Sequence, residues 1–305
     1  MTTRYRLRTT LSATAAALAL LLAHGAAAQI SIIDDTGREV TLPRPAQRIV
    51  SLAPHLTEVL FAAGAGPQVV GVVAYSDYPE EAARLPQVGG YTSIDLEAVV
   101  ALRPDLVVAW ASGNRAANID GLRALGIAVY LNEPRRMEDV ARSLENIGQL
   151  AGTGAQARAA ATAFRERRAA LAARYSERPP VRMFYQIWDQ PLMTINGQHL
   201  ISDAIRLCGG ENVFADLPQI APTVGMEAVL AADPEVVVAS GMGEARPEWL
   251  EQWKRWPALH ATRADNLYFI PPQLIQRHTP RLLEGATQLC EFLERARTRR
   301  GAEAR

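Results

Sequence analysis

The sequence predicts an α/β protein of two lobes, each with a central parallel sheet. One long helix is predicted to join the lobes as a rigid connector, with a ligand cleft between the lobes; a surface helix on one lobe is the alternative. The first reason for this prediction is a sequence repeat. Residues 97–109 and residues 227–239 are identical at eight of thirteen positions. Between the copies, residues 155–175 read as one unbroken helix of about 30 Å. Strand and helix patterns also alternate along the chain, which favours parallel sheets covered by helices.

Each copy of the repeat predicts a short helix, a proline turn and a buried strand. The helix carries a glutamate in its first turn, Glu97 or Glu227. It ends before Pro104 or Pro234, because proline lacks a backbone N–H and restricts the residue before it. The run that follows is apolar at every position and rich in valine, which is typical of a strand buried on both faces. Two copies are too few for a solenoid and indicate two similar lobes.

The remaining segments complete the two lobes. Residues 30–42 have the pattern of a hairpin, and Pro54 begins a helix. Residues 209–212 predict a turn, and residues 271–280 predict a loop before the closing helix. The predicted division is a signal peptide, an N-terminal lobe, a connecting helix and a C-terminal lobe, at residues 1–28, 29–152, 153–178 and 179–305.

The N-terminus has the composition of a secretory signal. Arg4, Arg6 and Arg8 precede a short apolar stretch, and small residues precede a predicted cleavage before Gln29. A membrane anchor is the alternative, although the apolar stretch is short for a span. Removing residues 1–28 takes away three arginines and no acid, so the net charge changes from zero to −3. That balance argues against a nucleic-acid partner. The signal, with no other stretch long enough to span a bilayer, predicts a soluble, exported protein.

The chain has two cysteines, Cys208 and Cys290. In an exported protein this number favours a disulfide over a metal pair or a catalytic thiol. The bond would lie within the second lobe and join the end of a helix to the C-terminal helix.

Catalytic motifs are poorly represented. The sequence has no Gly-x-Ser-x-Gly elbow, no phosphate-binding glycine loop and no His-Glu-x-x-His motif. We interpret His55, His199 and His260 as polar surface residues. His278 is the histidine of interest, because it lies in the last loop between Arg277 and Arg281. It is a candidate metal or haem ligand, with a solvated loop residue as the alternative.

Four large aromatic residues follow predicted strands. In parallel sheets the carboxyl ends of the strands face the ligand crevice, where a Tyr or Trp offers a flat contact surface and a polar tip. Packing within a loop could explain any one of them, but four in four loops predict a ligand site. These residues are Tyr75, Tyr91, Trp110 and Trp188.

Several motifs together resemble a known family. They are residues 48–58, 75–79, 95–110 and 208–214, and Arg277-x-x-Pro280-Arg281. In order and spacing they are similar to the periplasmic vitamin B12-binding components of cobalamin ATP-binding-cassette importers, within a wider group that also binds haem and iron–siderophores. The resemblance covers roughly residues 45–300. It implies two α/β lobes joined by a rigid helix, with the ligand held between them.

The resemblance also implies roles for particular residues. Tyr75, Tyr91 and Trp110 match pocket aromatics of the first lobe, and Cys208 and Cys290 match a disulfide. Glu97 and Glu227 match glutamates that dock on arginines of the permease, although stabilisation by the helix dipole could explain either one alone. The matching pocket loop of the second lobe is Gln273, Leu274, Ile275, Gln276 and Arg277.

The pocket loop departs from the family pattern at two positions. Gln273 and Leu274 stand where the family has an aspartate and a tryptophan, and Trp188 is the candidate replacement from another loop. The predicted function is therefore capture of a corrinoid, with no chemistry and no cofactor, and delivery to an importer by a monomer. Haem or iron–siderophore binding is the first alternative. An enzyme of the same two-lobe fold is the second, which the lack of a cysteine or histidine cluster disfavours.

Overall fold

The computed structural model describes residues 29–90, 92–241 and 247–303. The predicted signal peptide and Tyr91 lie outside the described residues. The N-terminal lobe opens with an antiparallel hairpin of β1 (Ile30–Ile33) and β2 (Glu39–Leu42), as predicted. Its sheet has four parallel strands in the order β4-β3-β5-β6. Those strands are β3 (Ile49–Ser51), β4 (Val69–Val72), β5 (Leu106–Trp110) and β6 (Ala128–Asn132).

Three short helices and two 3-10 turns connect these strands. The first helix starts at the predicted proline, whose fixed φ suits the first helical position. The helices are α1 (Pro54–Ala62), α2 (Leu96–Ala101) and α3 (Ala116–Ala124), with 3-10 turns at Gly66–Gln68 and Glu80–Arg84.

The C-terminal lobe holds a second sheet of four parallel strands, in the order β10-β9-β7-β8. Its strands are β7 (Val181–Gln186), β8 (Gly210–Asn212), β9 (Val236–Ala239) and β10 (Leu267–Phe269). Its helices are α6 (Leu200–Leu207), α7 (Met226–Ala232), α8 (His260–Arg263), α9 (Pro272–Ile275) and α10 (Leu282–Glu303), with a 3-10 segment at Glu248–Arg255.

Both copies of the repeat fold as the sequence predicts. In the first, α2 leads through Pro104 to β5; in the second, α7 leads through Pro234 to β9. Both strands are central in their sheets, and their valines are fully buried. The predicted α/β fold with two lobes and parallel sheets is therefore confirmed.

Two segments differ from the prediction. Residues 210–212, predicted as part of a turn, form the edge strand β8 because the side chain of Asn212 anchors them, donating to the Ile195 carbonyl and to Ser202 Oγ. Residues 272–275, predicted as loop, form the single helical turn α9, which Pro272 begins.

Two long helices lie between the sheets, α4 (Met137–Ala151) and α5 (Gly154–Tyr175). They pack closely, because a Cβ added at Gly148 would lie 2.2 Å from the Ala157 Cβ. Gly152 ends α4 with φ of 74°, a left-handed conformation that glycine adopts without strain. The tight pairing makes α5 a rigid element, since packed interiors resist deformation.

One hydrophobic core runs through both lobes. It includes Ile49 and Tyr130 of the first sheet, Leu144 of α4, Tyr185 of the second sheet and Leu289 of α10. Separate clusters cover the outer faces of the two sheets. Among the described residues, no helix combines the length and apolar character needed to cross a bilayer.

The predicted disulfide is present. Cys208 follows α6, Cys290 lies in α10, their Cα atoms are 4.7 Å apart, and both residues are fully buried. The bond closes a loop across 82 positions of the sequence.

Candidate functional site

The two sheets direct the carboxyl ends of their strands towards a common region between the lobes. Trp110 is the last residue of β5, and His55 lies in the first turn of α1, just after β3. From the other lobe, His199 caps α6 in the connection after β7, and His278 lies between α9 and α10. Ligand crevices of parallel sheets form at such strand ends.

These four aromatic side chains form one cluster, here called the imidazole cluster. The ring of His278 lies 5.3 Å from that of His55, 6.2 Å from that of His199 and 6.2 Å from that of Trp110, measured between centroids. His55 also meets Trp110 edge to face at 5.2 Å. The cluster therefore joins the two lobes through ring contacts.

The prediction that His55 is a polar surface residue is wrong. His55 retains only 6% of its exposure and His278 only 8%, while His199 is partly buried. The reason is the approach of the two lobes, which covers polar residues at helix starts that would be exposed on a single lobe.

Burial keeps these imidazoles neutral. It lowers the pKa of His55 to about 3, helped by the positive charge of Arg277. It lowers the pKa of His199 to about 4, with a smaller effect from Arg135, and holds the pKa of His278 well below 6.5. Neutral imidazole is the form that binds metals.

A second cluster of charged side chains crosses between the lobes close by. Glu58 of α1 is almost fully buried, and its carboxylate accepts from Arg277 Nη1 at 2.7 Å and from Arg281 Nε and Nη2 at 3.0 Å. Arg277 Nη1 also donates to Asp77 Oδ1 at 2.7 Å. We call Glu58, Asp77, Arg277 and Arg281 the interlobe charge cluster. Its two arginines belong to the C-terminal lobe and its two carboxylates to the N-terminal lobe.

Tyr75 and Tyr78 extend the charge cluster along the first lobe. Arg277 Nη2 donates to the Tyr75 carbonyl at 3.2 Å, and the Arg281 guanidinium lies 3.9 Å from the centroid of the Tyr78 ring. Partial burial acts to raise the pKa of Asp77, but its hydrogen bond to Arg277 and the arginine charge lower that pKa overall. Tyr75 itself is 77% exposed and has a φ of 64°, a conformation uncommon outside glycine.

The residues of the predicted pocket loop lie in different environments. Arg277 belongs to the charge cluster, and Gln276 Nε2 donates to the Ser240 carbonyl. Gln273 and Leu274 are partly buried, whereas Ile275 is fully buried in the hydrophobic core and performs a packing role there.

Trp188 lies in the connection after β7, where it is 36% exposed and its Nε1 donates to the Gln190 carbonyl at 3.0 Å. Nearby, three tryptophans that the sequence reading did not select line a cavity of about 180 Å³ together with Gln186, the last residue of β7. The Trp253 Nε1 donates to Gln186 Oε1 at 2.8 Å. The three are Trp249, Trp253 and Trp256.

Residues 49–274 match the family model described as periplasmic binding protein. The chain belongs to this family. The periplasmic binding protein described here is 37% identical over 256 residues to the vitamin B12-binding protein of Vibrio parahaemolyticus, covering 84% of this chain and 92% of the relative.

Solved structures show the same architecture. The periplasmic vitamin B12 binding protein BtuF of Vibrio cholerae superposes with a TM-score of 0.76 at 35% identity, covering 83% of this chain and 98% of that one. The periplasmic heme binding protein HutB of Vibrio cholerae superposes with a TM-score of 0.71 at 22% identity, covering 81% and 98%. The second likeness shows the fold alone.

Several residues of this periplasmic binding protein's site were not selected from the sequence. Glu58 carried one signal, an acidic residue directly before the apolar run of residues 59–62 in α1. Arg281 was part of a recognised motif but had no assigned role. Asp77 and Tyr78 lie within three positions of Tyr75, so the predicted aromatic loop contains them.

The two predicted docking glutamates occupy equivalent positions. Glu97 lies in the first turn of α2 and Glu227 in the first turn of α7, and both are exposed. The Asp95 side chain caps α2 by accepting from the Ala98 N–H at 3.0 Å. Neither glutamate forms a salt bridge with another residue that the structure describes.

Proposed function

We propose that this protein captures a corrinoid, cobalamin or a close relative, between its two lobes and delivers it to an ABC importer. It performs no chemistry on the ligand. The observation that carries the proposal is the meeting of aromatic and charged side chains from both lobes at the carboxyl ends of the two sheets. Its relatives over most of the chain are named vitamin B12-binding proteins, which supports a corrinoid as the ligand.

The binding residues of the proposal come from both lobes. Tyr75 and Trp110 supply aromatic contact from the first lobe, and Trp188 supplies it from the second. Arg277 offers a charged donor once the lobes separate, because a corrinoid carries many amide groups that accept hydrogen bonds. Gln273, Leu274 and Gln276 complete the proposed contact loop, and Tyr91 is retained on the resemblance alone.

Membership of the periplasmic binding protein family supports the following export and assembly of the chain. Residues 1–28 direct export and are removed, and the mature protein works as a monomer in the periplasm. Residues 29–152 and 179–305 act as the two lobes, and residues 153–178 act as the rigid connection between them. Two lobes joined by one stiff helix suit small changes of angle around a bound ligand.

Haem or an iron–siderophore is the alternative ligand, and the burial of His278 in the imidazole cluster is the observation that favours it. Calorimetric titration of the mature protein with cyanocobalamin, cobinamide and haem separates the two proposals. We expect saturable binding of the corrinoids and weaker or no binding of haem. Binding of haem alone would replace the corrinoid proposal with the alternative.

Trp110→Ala is expected to weaken cyanocobalamin binding by about 2 kcal/mol, the scale of an aromatic hot spot. Its indole lies between the lobes and offers broad apolar contact. Calorimetry measures the loss, with Tyr75→Ala as a second test. Leu125→Ala is the control, because Leu125 is exposed and lies before the amino end of β6, whereas Trp110 lies at the carboxyl end of β5. Unchanged affinity in both aromatic variants would mean that the ligand binds elsewhere.

The double reversal Glu97→Arg with Glu227→Arg is expected to abolish uptake through the importer and leave corrinoid affinity unchanged. Exposed charges at an interface rim set register and encounter rate, and these two lie at the same point of each lobe. Uptake is measured in cells that lack their own binding protein.

The control for the double reversal is Asp120→Arg with Glu211→Arg. It makes the same change in net charge at exposed sites, one in each lobe. Normal transport by the Glu97 and Glu227 variant would exclude the docking role. A parallel loss of corrinoid binding would instead mean that these glutamates support the lobes themselves.

A further inference from the structure

The three histidines of the imidazole cluster have no role in the corrinoid function proposed above. Packing alone does not account for them, because one nitrogen on each of two of these histidines is buried with no hydrogen-bond partner among the residues that the structure describes. They are His55 Nε2 and His278 Nδ1. A buried polar atom without a partner is costly, so each of these two nitrogens is available to a water, an ion or a ligand that reaches it.

His278 is the centre of the cluster, since its ring is the one that touches the other three. Two of those neighbours, His55 and Trp110, belong to the first lobe, whereas His278 belongs to the second. Separation of the lobes would therefore uncover His278 on the inner surface of the cleft. A flat ligand that enters the cleft between the lobes would then meet its imidazole.

The chemistry of the uncovered group is that of a metal ligand. A neutral imidazole offers a nitrogen lone pair without first releasing a proton, and it suits cobalt, iron, zinc and copper. Within residues 29–90, 92–241 and 247–303, no three His, Cys, Asp or Glu side chains are grouped closely enough to hold a bare metal ion. A metal that arrives inside a macrocycle needs only one protein nitrogen at an axial position.

We propose that His278 coordinates the cobalt of the bound corrinoid and that the preferred ligands are corrinoids with an exchangeable axial position. This inference rests on the proposed corrinoid function. In the step, the imidazole nitrogen of His278 forms a bond to Co(III) and a bound water leaves. No electron is transferred and no proton is released, because the imidazole is already neutral. Corrinoids that lack a nucleotide base on cobalt, such as cobinamide, would then bind well.

The test compares two probes, aquocobinamide and dicyanocobinamide. The first carries replaceable water on cobalt, and in the second cyanide fills both axial positions. Visible absorption spectra are recorded on titration with the mature protein and with its His278→Phe, His55→Phe and His199→Phe variants. Cobinamide in excess free imidazole gives the reference spectrum of the imidazole complex.

We expect wild type to convert the aquocobinamide spectrum to that of the imidazole complex. His278→Phe should leave the spectrum unconverted and weaken aquocobinamide binding by about tenfold, the factor that corresponds to about 1.4 kcal/mol. Its affinity for dicyanocobinamide should stay close to that of wild type, which also shows that the variant folds. His55→Phe and His199→Phe should retain the spectral conversion.

Three results would overturn the inference. Calorimetric binding of aquocobinamide by wild type without a spectral change would remove the coordination and leave the proposed function intact. Conversion that survives in His278→Phe but is lost in His55→Phe or His199→Phe would assign the bond to another residue. Failure of wild type to bind any corrinoid would overturn the proposed function and this inference together.

Discussion

Replacing Cys208 and Cys290 together by alanine is expected to lower the free energy of unfolding by roughly 4–5 kcal/mol. The crosslink closes a loop across 82 positions. In the chain-entropy model, closing a loop of that length lowers the conformational entropy of the unfolded chain. The free energy of the unfolded state rises by about this amount. Urea unfolding of wild type and variant, followed by circular dichroism, measures the difference.

Reduced wild type is the matched control for the cysteine pair, because it lacks the bond but keeps both sulfur atoms in the core. Its stability should approach that of the double variant. Thiol titration of unfolded, unreduced protein should find no free thiol. Two free thiols, or equal stability of oxidised and reduced wild type, would contradict the prediction.

Glu58→Gln is expected to destabilise the arrangement in which the lobes are joined by the interlobe charge cluster by about 3 kcal/mol, the lower end of the loss seen when one partner of a buried ion pair is removed. The change leaves Arg277 and Arg281 facing an uncharged amide across the lobe contact. Both arginines retain 18% side-chain exposure, and separation of the lobes would rehydrate them. The loss should therefore appear largely as opening of the lobes.

Small-angle X-ray scattering of the ligand-free protein detects that opening. The radius of gyration of Glu58→Gln should exceed that of wild type. Glu81→Gln is the matched control, because Glu81 borders the same groove between Tyr78 and Arg281 but is exposed and lies outside the charge cluster. Identical scattering of wild type and Glu58→Gln would show that the charge cluster does not hold the lobes together.

Local patterns predicted most of the fold. The valine-rich runs of β5 and β9 and the prolines before them fix helix, turn and strand within thirteen residues. The strand β8 was missed because Gly210 and its two polar neighbours have little preference for a strand. Pairing with β7 and the hydrogen bonds of Asn212 impose the extended conformation, and neither is visible in the local sequence.

The sequence could predict the site residues that lie at the ends of strands. It could not predict the contacts that form only where the two lobes meet. Trp110 could be selected because it ends a buried strand. Glu58 and Arg277 are 219 positions apart in the chain, so no local pattern connects them. His55 was assigned to the surface for the same reason, since the rings that cover it include His278 from the other lobe.

The continuous core gives the molecule one cooperative unfolding unit. Side chains of α4 and α5 contribute to the same apolar interior as both sheets, so loss of either lobe would expose surface that the other needs covered. Neither lobe is then expected to persist alone. A ligand bound between the lobes at a hundred times its dissociation constant would stabilise the whole chain by about 2.7 kcal/mol, rather than one half of it.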